Sequence, residues 1–392
     1  MSGSASNKSI TAANVLANWS VGTTKPAAVG IAPYTPRGNV DPTDGMALTW
    51  VEQSSSAIYD PYASGIDEDY FPCVIYSEAQ FDGHGAASKY KMWHQGPGGT
   101  VALSNSDDGV NWTLDGVTNL PAGSSYHPAV IYDEGGFGGS ATHYKLWFWT
   151  GAAGTTPAVG QYAESADGLN WTNVQEITQS TPDIVVGTSP SWFYHFYGPD
   201  CVLYNSSPKS TPGQPLSYPY IMYYNTAAEG MGPGSSKSAI GIAFSSDGLN
   251  WTRFANRPAL LPRGSGAASP STEALFEWDG GYAAHATIAA DSAGLLHMYY
   301  SGGNSNNPDG LDSAQGIGHA VSRDGIQWSR DWSAPVFTVN DATTWRNGRT
   351  YAPCVLHGVF DGSSPMWKMW FSGGNGLKVG TSQGIGYATA RS

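Results

Sequence analysis

Ser106-Asp107-Asp108-Gly109 leads to Trp112, Ser165-Ala166-Asp167-Gly168 to Trp171, Ser245-Ser246-Asp247-Gly248 to Trp251, and Ser322-Arg323-Asp324-Gly325 to Trp328. Four copies of Ser-x-Asp-Gly-x-x-Trp spread along one chain mark stacked supersecondary units. Asp-Gly is a tight-turn signal because Gly accepts positive φ, and the Trp that follows then lies on the returning strand and covers the sheet.

Working outward, an aromatic strand precedes each turn: Tyr90-Lys91-Met92-Trp93, Tyr144-Lys145-Leu146-Trp147, Tyr220-Ile221-Met222-Tyr223 and Leu296-His297-Met298-Tyr299, with a fifth copy at Trp367-Lys368-Met369-Trp370. Between strand and turn runs a small-residue strand, clearest in Ile240-Gly241-Ile242-Ala243, Ile317-Gly318-His319-Ala320 and Ile385-Gly386-Tyr387-Ala388. Ahead of the aromatic strand lies an apolar one: Phe71-Pro72-Cys73-Val74, His127-Pro128-Ala129-Val130, Asp200-Cys201-Val202, His285-Ala286-Thr287 and Ala352-Pro353-Cys354-Val355. Each unit is thus four antiparallel strands, and five units predict one all-β domain, a five-bladed β-propeller closed on itself so that no sheet edge is left exposed.

The predicted blades span 67–121, 122–190, 191–262, 263–335 and 336–392. The last stops after its third strand. Asn18-Trp19-Ser20 matches Asn111-Trp112-Thr113, Asn170-Trp171-Thr172 and Asn250-Trp251-Thr252, so residues 1–22 are expected to supply the strand that closes blade five. Residues 23–66, rich in Pro, Gly, Ser and Asp, are expected to form an irregular excursion. The four triplets also read as glycosylation sequons, but the repeat itself explains them. The Asp-Gly turns invite readings as calcium loops or sialidase-type boxes, yet a turn former on the side of the blade away from the axis accounts for each Asp.

The 392 residues include 50 glycines and 25 prolines, which excludes a helix-dominated fold. With 31 acidic against 18 basic residues the net charge is -13, which opposes the counterion release that drives nucleic-acid binding and speaks against anionic membranes as partners. Apolar runs fall well short of the roughly 18 residues of a membrane span, so a soluble protein is expected. Residues 1–20 carry neither the basic start nor the apolar block of a secretory leader, and the compartment is left open. Three cysteines, Cys73, Cys201 and Cys354, cannot form a closed disulfide framework and are read as buried thiols.

A propeller whose blades read Lys-Met-Trp, Ile-Gly-Tyr-Ala and Ser-x-Asp-Gly-x-x-Trp resembles the furanosidase superfamily of arabinanases, β-xylosidases, fructosidases and mannoside phosphorylases, over residues 70–392. The resemblance implies a reacting sugar at the mouth of the central channel and three carboxylates at the starts of the innermost strands of the first three blades. At the positions expected to carry a carboxylate before the strand-opening proline, this chain has Phe71 and His127, and blade three reads Tyr197-Gly198-Pro199-Asp200 with its carboxylate after the proline. Asp67, Glu68 and Asp69 cluster just ahead of blade one. The implied function is a carbohydrate-active enzyme, most simply a glycoside hydrolase with Asp69 and Asp200 as the carboxylate pair and His127 in support. The alternative is a propeller that binds a glycan or other small ligand without cleaving it, as a lectin-like or receptor-binding module.

Innermost strands begin near the axis, so Asp69, Tyr70, His127, Asp200, His285, Arg349 and Tyr351 are expected to converge. His127 and His285 open equivalent strands and are expected to act on one shared species: a divalent cation in the channel, a water or a ligand, with titration near the ordinary histidine value of about 6.5. Arg349 is read as a clamp for a carboxylate or phosphate, or else as a surface salt bridge. Glu273 is a reserve acid, and His94 opens one of the Gly-, Ser- and Asn-rich loops on the same face. Trp192, Phe193 and Tyr194 are assigned to core packing ahead of a role in sugar stacking.

Overall fold

The structure, a computed structural model, describes residues 48–61, 70–96, 98–121, 126–150, 159–180, 195–206, 218–227, 238–253, 258–262, 278–304, 315–330, 334–340, 342–375 and 383–391. Five four-stranded antiparallel sheets form a five-bladed β-propeller. Blade one comprises Tyr70–Tyr76, Tyr90–Gly96, Thr100–Ser106 and Thr113–Val117; blade two Tyr126–Tyr132, Tyr144–Thr150, Val159–Ser165 and Trp171–Glu176. Blade three comprises His195–Tyr204, Tyr220–Ala227, Ser238–Ser245 and Asn250–Arg253; blade four Tyr282–Ala290, Leu296–Gly303, Gly316–Ser322 and Ser329–Arg330. Blade five comprises Arg349–Gly358, Met366–Gly374 and Gln383–Arg391. No helix among the described residues is long and apolar enough to cross a membrane.

The ring is closed by Val51–Glu52, which pairs with Gln383–Arg391 through Val51↔Thr389 and Glu52↔Ala388. Residues 1–22, expected in this place, lie outside the described residues, and the closing strand comes from the stretch read as irregular. A side-on ion pair fixes it: Arg346 Nε and Nη2 donate to the two carboxylate oxygens of Glu52 at 2.7 and 2.6 Å.

The repeat motif is the joint between blades. In each turn the Ser hydroxyl accepts the Gly N–H (Ser106 from Gly109, 2.9 Å) and the Asp carboxylate accepts two backbone N–H groups (Asp108 from Val110 and Asn111, both 2.7 Å), so the Asp is a turn former as expected. The Gly has to be Gly: at Gly168 φ is +82°, and a Cβ would lie 2.7 Å from Trp93 of blade one. Its carbonyl instead accepts the Trp93 indole N–H at 2.7 Å, as Gly248 accepts Trp147 and Gly109 accepts Trp370, each at 2.7 Å. The repeat Trp meets the same aromatic edge-on, Trp171 against Trp93 and Trp251 against Trp147, with centroids 6.4 and 6.0 Å apart.

The three cysteines are free and buried. Two serve nearer the axis: Cys73 Sγ accepts the Val130 N–H of blade two and Cys354 Sγ accepts the Val74 N–H of blade one, each at 3.2 Å. Where neighbouring innermost strands diverge too far for backbone pairing, a large polarisable sulfur spans the gap.

Candidate functional site at the axial mouth

All five innermost strands carry a β-bulge at the same height, where the register slips between Tyr70 and Cys73, Tyr126 and Ala129, Pro199 and Cys201, Ala284 and Thr287, and Tyr351 and Cys354. In four blades the bulged residue is left-handed: Phe71 (φ 56°), His127 (53°), His285 (53°) and Ala352 (47°). For a non-glycine residue that conformation costs about 1–2 kcal/mol, and a following proline restricts it further. The strain re-aims each side chain toward the axis.

Three of these side chains, together with Tyr351, form an aromatic plug. Phe71 lies 3.6 Å from His127, 4.9 Å from His285 and 5.7 Å from Tyr351, centroid to centroid, and the two imidazoles are 5.3 Å apart. The axial cavity is lined by the bulged residue and its successor in every blade and has a volume of about 30 Å³. That is room for a water or two, well short of the roughly 150 Å³ of a cavity that takes a six-membered ring. A ligand of that size has to sit above the plug.

Burial pushes the His127 imidazole down to about 3. Burial also drives His285 well below the ordinary histidine value, with the neighbouring His127 and the Arg349 guanidinium adding to the effect. The expectation of titration near 6.5 is therefore corrected: burial among the axial groups disfavours the imidazolium and holds both rings toward the neutral form. His285 faces Ser301, Nδ1 to Oγ 3.1 Å, and that hydroxyl also accepts the Ala352 N–H at 2.8 Å. Among the described residues no group of three or more His, Cys, Asp or Glu side chains is arranged to hold a metal ion.

Asp200 takes the position that proline holds in blades one, two and five, one residue past the bulge. Proline has no N–H to satisfy there. Blade four has Ala286 at that place, with an N–H, and Asp200 Oδ2 accepts it at 3.1 Å. The carboxylate thus compensates for a missing proline in the neighbouring blade.

Tyr70 and Tyr351 are buried at the mouth, and Tyr70 accepts a hydrogen bond from Gln95. The Arg349 guanidinium lies over the Tyr351 ring, 4.2 Å from its centroid. His94 is corrected: it is fully buried, with Nε2 3.2 Å from Ser104 Oγ and its ring edge-on to Tyr59 at 5.2 Å. Strand alternation explains this, because Gln95 faces the mouth and its neighbour His94 must face the other way. Asp69, Glu273, Trp192, Phe193 and Tyr194 lie outside the described residues.

Sequence reasoning missed a second ring: Gln95, Trp149, Asn225, Ser301 and Ser372, which pair opposite the residue before each bulge or within it. Ser372 accepts the Phe71 N–H at 2.9 Å, just as Ser301 serves Ala352. The signal was present as the fifth residue beyond the one that opens each aromatic motif: Tyr90, Tyr144, Tyr220, Leu296 and Trp367.

These features define a five-bladed propeller with a strained, aromatic and polar mouth over a blocked axis. No family model matches the chain, and no curated protein matches it. Among solved structures it is similar to a glycoside hydrolase (TM-score 0.59, 16% identity, covering 88% of this chain and 93% of that one). It is similar too to an N-acetylgalactosamine deacetylase from F. plautii in complex with blood group B trisaccharide (0.54, 15%, 88% and 96%) and to the catalytic domain of a Coprinopsis cinerea GH62 α-L-arabinofuranosidase (0.54, 12%, 88% and 97%). At these identities the likeness is one of fold.

Proposed function

We propose that this chain is a carbohydrate-active propeller that takes its glycan at the mouth of the channel. The observation that carries the reading is the convergence of Tyr70, His127, His285, Arg349 and Tyr351 above an axis too narrow for a sugar ring. Solved propellers of the same fold include a glycoside hydrolase and an enzyme holding a trisaccharide, which supports the substrate class. In its catalytic form the site is a glycoside hydrolase with Asp69 and Asp200 as the two carboxyl groups. One gives its proton to the leaving oxygen as the glycosidic C–O bond breaks; the other, ionised, activates water or bonds to the anomeric carbon. His127, neutral and a weak base, supports by hydrogen bonding to a hydroxyl rather than by taking a proton.

The second reading, binding without cleavage, is favoured by the backbone hydrogen bond that occupies Asp200 and by Phe71 and His127 standing where acids are expected. Product release from arabinan, xylan, fructan and aryl glycosides separates the two. Turnover lost in both Asp200→Asn and Asp69→Asn supports the hydrolase, whereas glycan binding on an array with no product from the wild type supports the binding module. Absence of both overturns the carbohydrate reading.

A further inference from the structure

Arg349 opens the innermost strand of blade five, paired with Gly374. Its Nε and Nη1 are sealed from solvent and have no hydrogen-bond partner, and among the described residues it forms no ion pair. The contrast with other enclosed arginines is direct. Arg346, three residues earlier, grips Glu52 side-on and also bonds Thr350 Oγ1 at 3.3 Å, and Arg330 Nε lies 3.1 Å from the buried Asp279 carboxylate. Those two have their counter-charges; among the described residues Arg349 has the face of Tyr351 beneath it and no carboxylate.

Arg349 is half-buried as a residue, but its two sealed nitrogens lack a partner, and a buried polar group left unpaired in a folded protein calls for an explanation such as a ligand that completes it. The surroundings fix which ligand. Tyr351 covers one face of the guanidinium, so an anion that completes its unpaired nitrogens has to approach in the guanidinium plane. His285, 5.9 Å from Tyr351, is neutral, so it adds no second positive charge. One cation matches one carboxylate; a phosphate dianion would retain a negative charge, against a chain whose net charge is already -13.

We propose that Arg349 on Tyr351 is the carboxylate subsite of the mouth, and that the glycan it takes carries a uronic acid. The inference rests on the carbohydrate reading and narrows it. Glucuronate- and galacturonate-terminated oligosaccharides, their methyl esters and the neutral parent sugars are the probes, with binding measured by calorimetry, and inorganic phosphate and acetate as competitors. The free acid should bind on the order of ten- to a hundredfold tighter than its ester, the value of one charge-assisted hydrogen bond. Arg349→Met should erase that difference, and Arg349→Lys should keep part of it.

Stability supplies a second readout. Removal of an uncompensated charge should leave the melting temperature of ligand-free Arg349→Met equal to or above that of the wild type, whereas a structural arginine would lower it. A lowered melting temperature, or equal binding of acid and ester, overturns the subsite while leaving the carbohydrate reading intact. Phosphate competing better than the uronate overturns the carboxylate assignment. Failure of every sugar, charged or neutral, overturns both.

Discussion

Phe71 of blade one lies against His127 of blade two with ring centroids 3.6 Å apart and planes inclined by 35°. Both residues are held in the left-handed region and each opens its blade's path to the axis. The pair is therefore a seam between adjacent blades as well as a plug. The phenyl ring covers one face of the imidazole, and this contact ties the backbone strain at the bulges to the charge state of the mouth.

That charge state predicts a pH dependence. With the folded value of His127 at about 3 and an unfolded one near 6.5, the unfolded chain binds a proton that the folded chain refuses. Stability from this group is complete above about pH 6.5 and is lost as pH falls toward 3, with a slope of about 1.4 kcal/mol per pH unit; His285 adds a loss of the same sign. Urea melts of the wild type and His127→Gln between pH 7.5 and 4.5 should show a flatter acid limb in the variant. Parallel limbs would mean that His127 is protonated in the fold.

Ala352, at φ 47° before Pro353, is 4% exposed and contributes only a methyl group. Ala352→Gly should therefore raise stability by about 1 kcal/mol, the reverse of the usual penalty for glycine in a strand. A chemical denaturation midpoint below that of the wild type would show that the bulge is not strained at this position.

The sulfur contacts between blades predict chemical behaviour. Cys73, Cys201 and Cys354 should be silent to a thiol reagent in the native state and all titrate after unfolding. Cys354→Ala removes the acceptor of the Val74 N–H and should cost about 1–3 kcal/mol, with Cys354→Ser intermediate because it keeps an acceptor that is smaller than sulfur. Equal melts for all three proteins would reduce the contact to simple packing.

The propeller was legible because the joint between blades is written in local chemistry: Ser106, Asp108 and Gly109 build their turn within four residues, and Trp112 follows at a fixed offset. The mouth was only half legible. Residues that open innermost strands converge by topology alone, so His127, His285, Tyr351 and Arg349 could be grouped without coordinates. Their protonation could not, because it depends on how the rings are buried once the blades stand around the axis. Nor could the partner of Asp200: Ala286 is 86 residues away, and the missing proline that links them acquires meaning only when blades three and four stand side by side.

The closing tryptophan offers the sharpest test of where the two readings part. Asn18-Trp19-Ser20 carries the repeat's local spelling, but Trp50 occupies the fifth position: it meets Tyr299 of blade four edge-on, centroids 5.4 Å apart at 85°, as Trp328 meets Tyr223 at 5.9 Å and 79°. Trp50 is 8% exposed and packs among Ala289, Val355, Trp367 and Met369, directly before the Val51–Glu52 strand that Arg346 clamps. Its removal opens a cavity at the one blade whose strands are not continuous in sequence, where closure depends on packing rather than on a short turn. Trp50→Ala should thus cost about 3–5 kcal/mol. Calorimetric melts decide it, since a loss no larger than that of a surface substitution, about 0.5 kcal/mol, would show that Trp50 does not hold the closure.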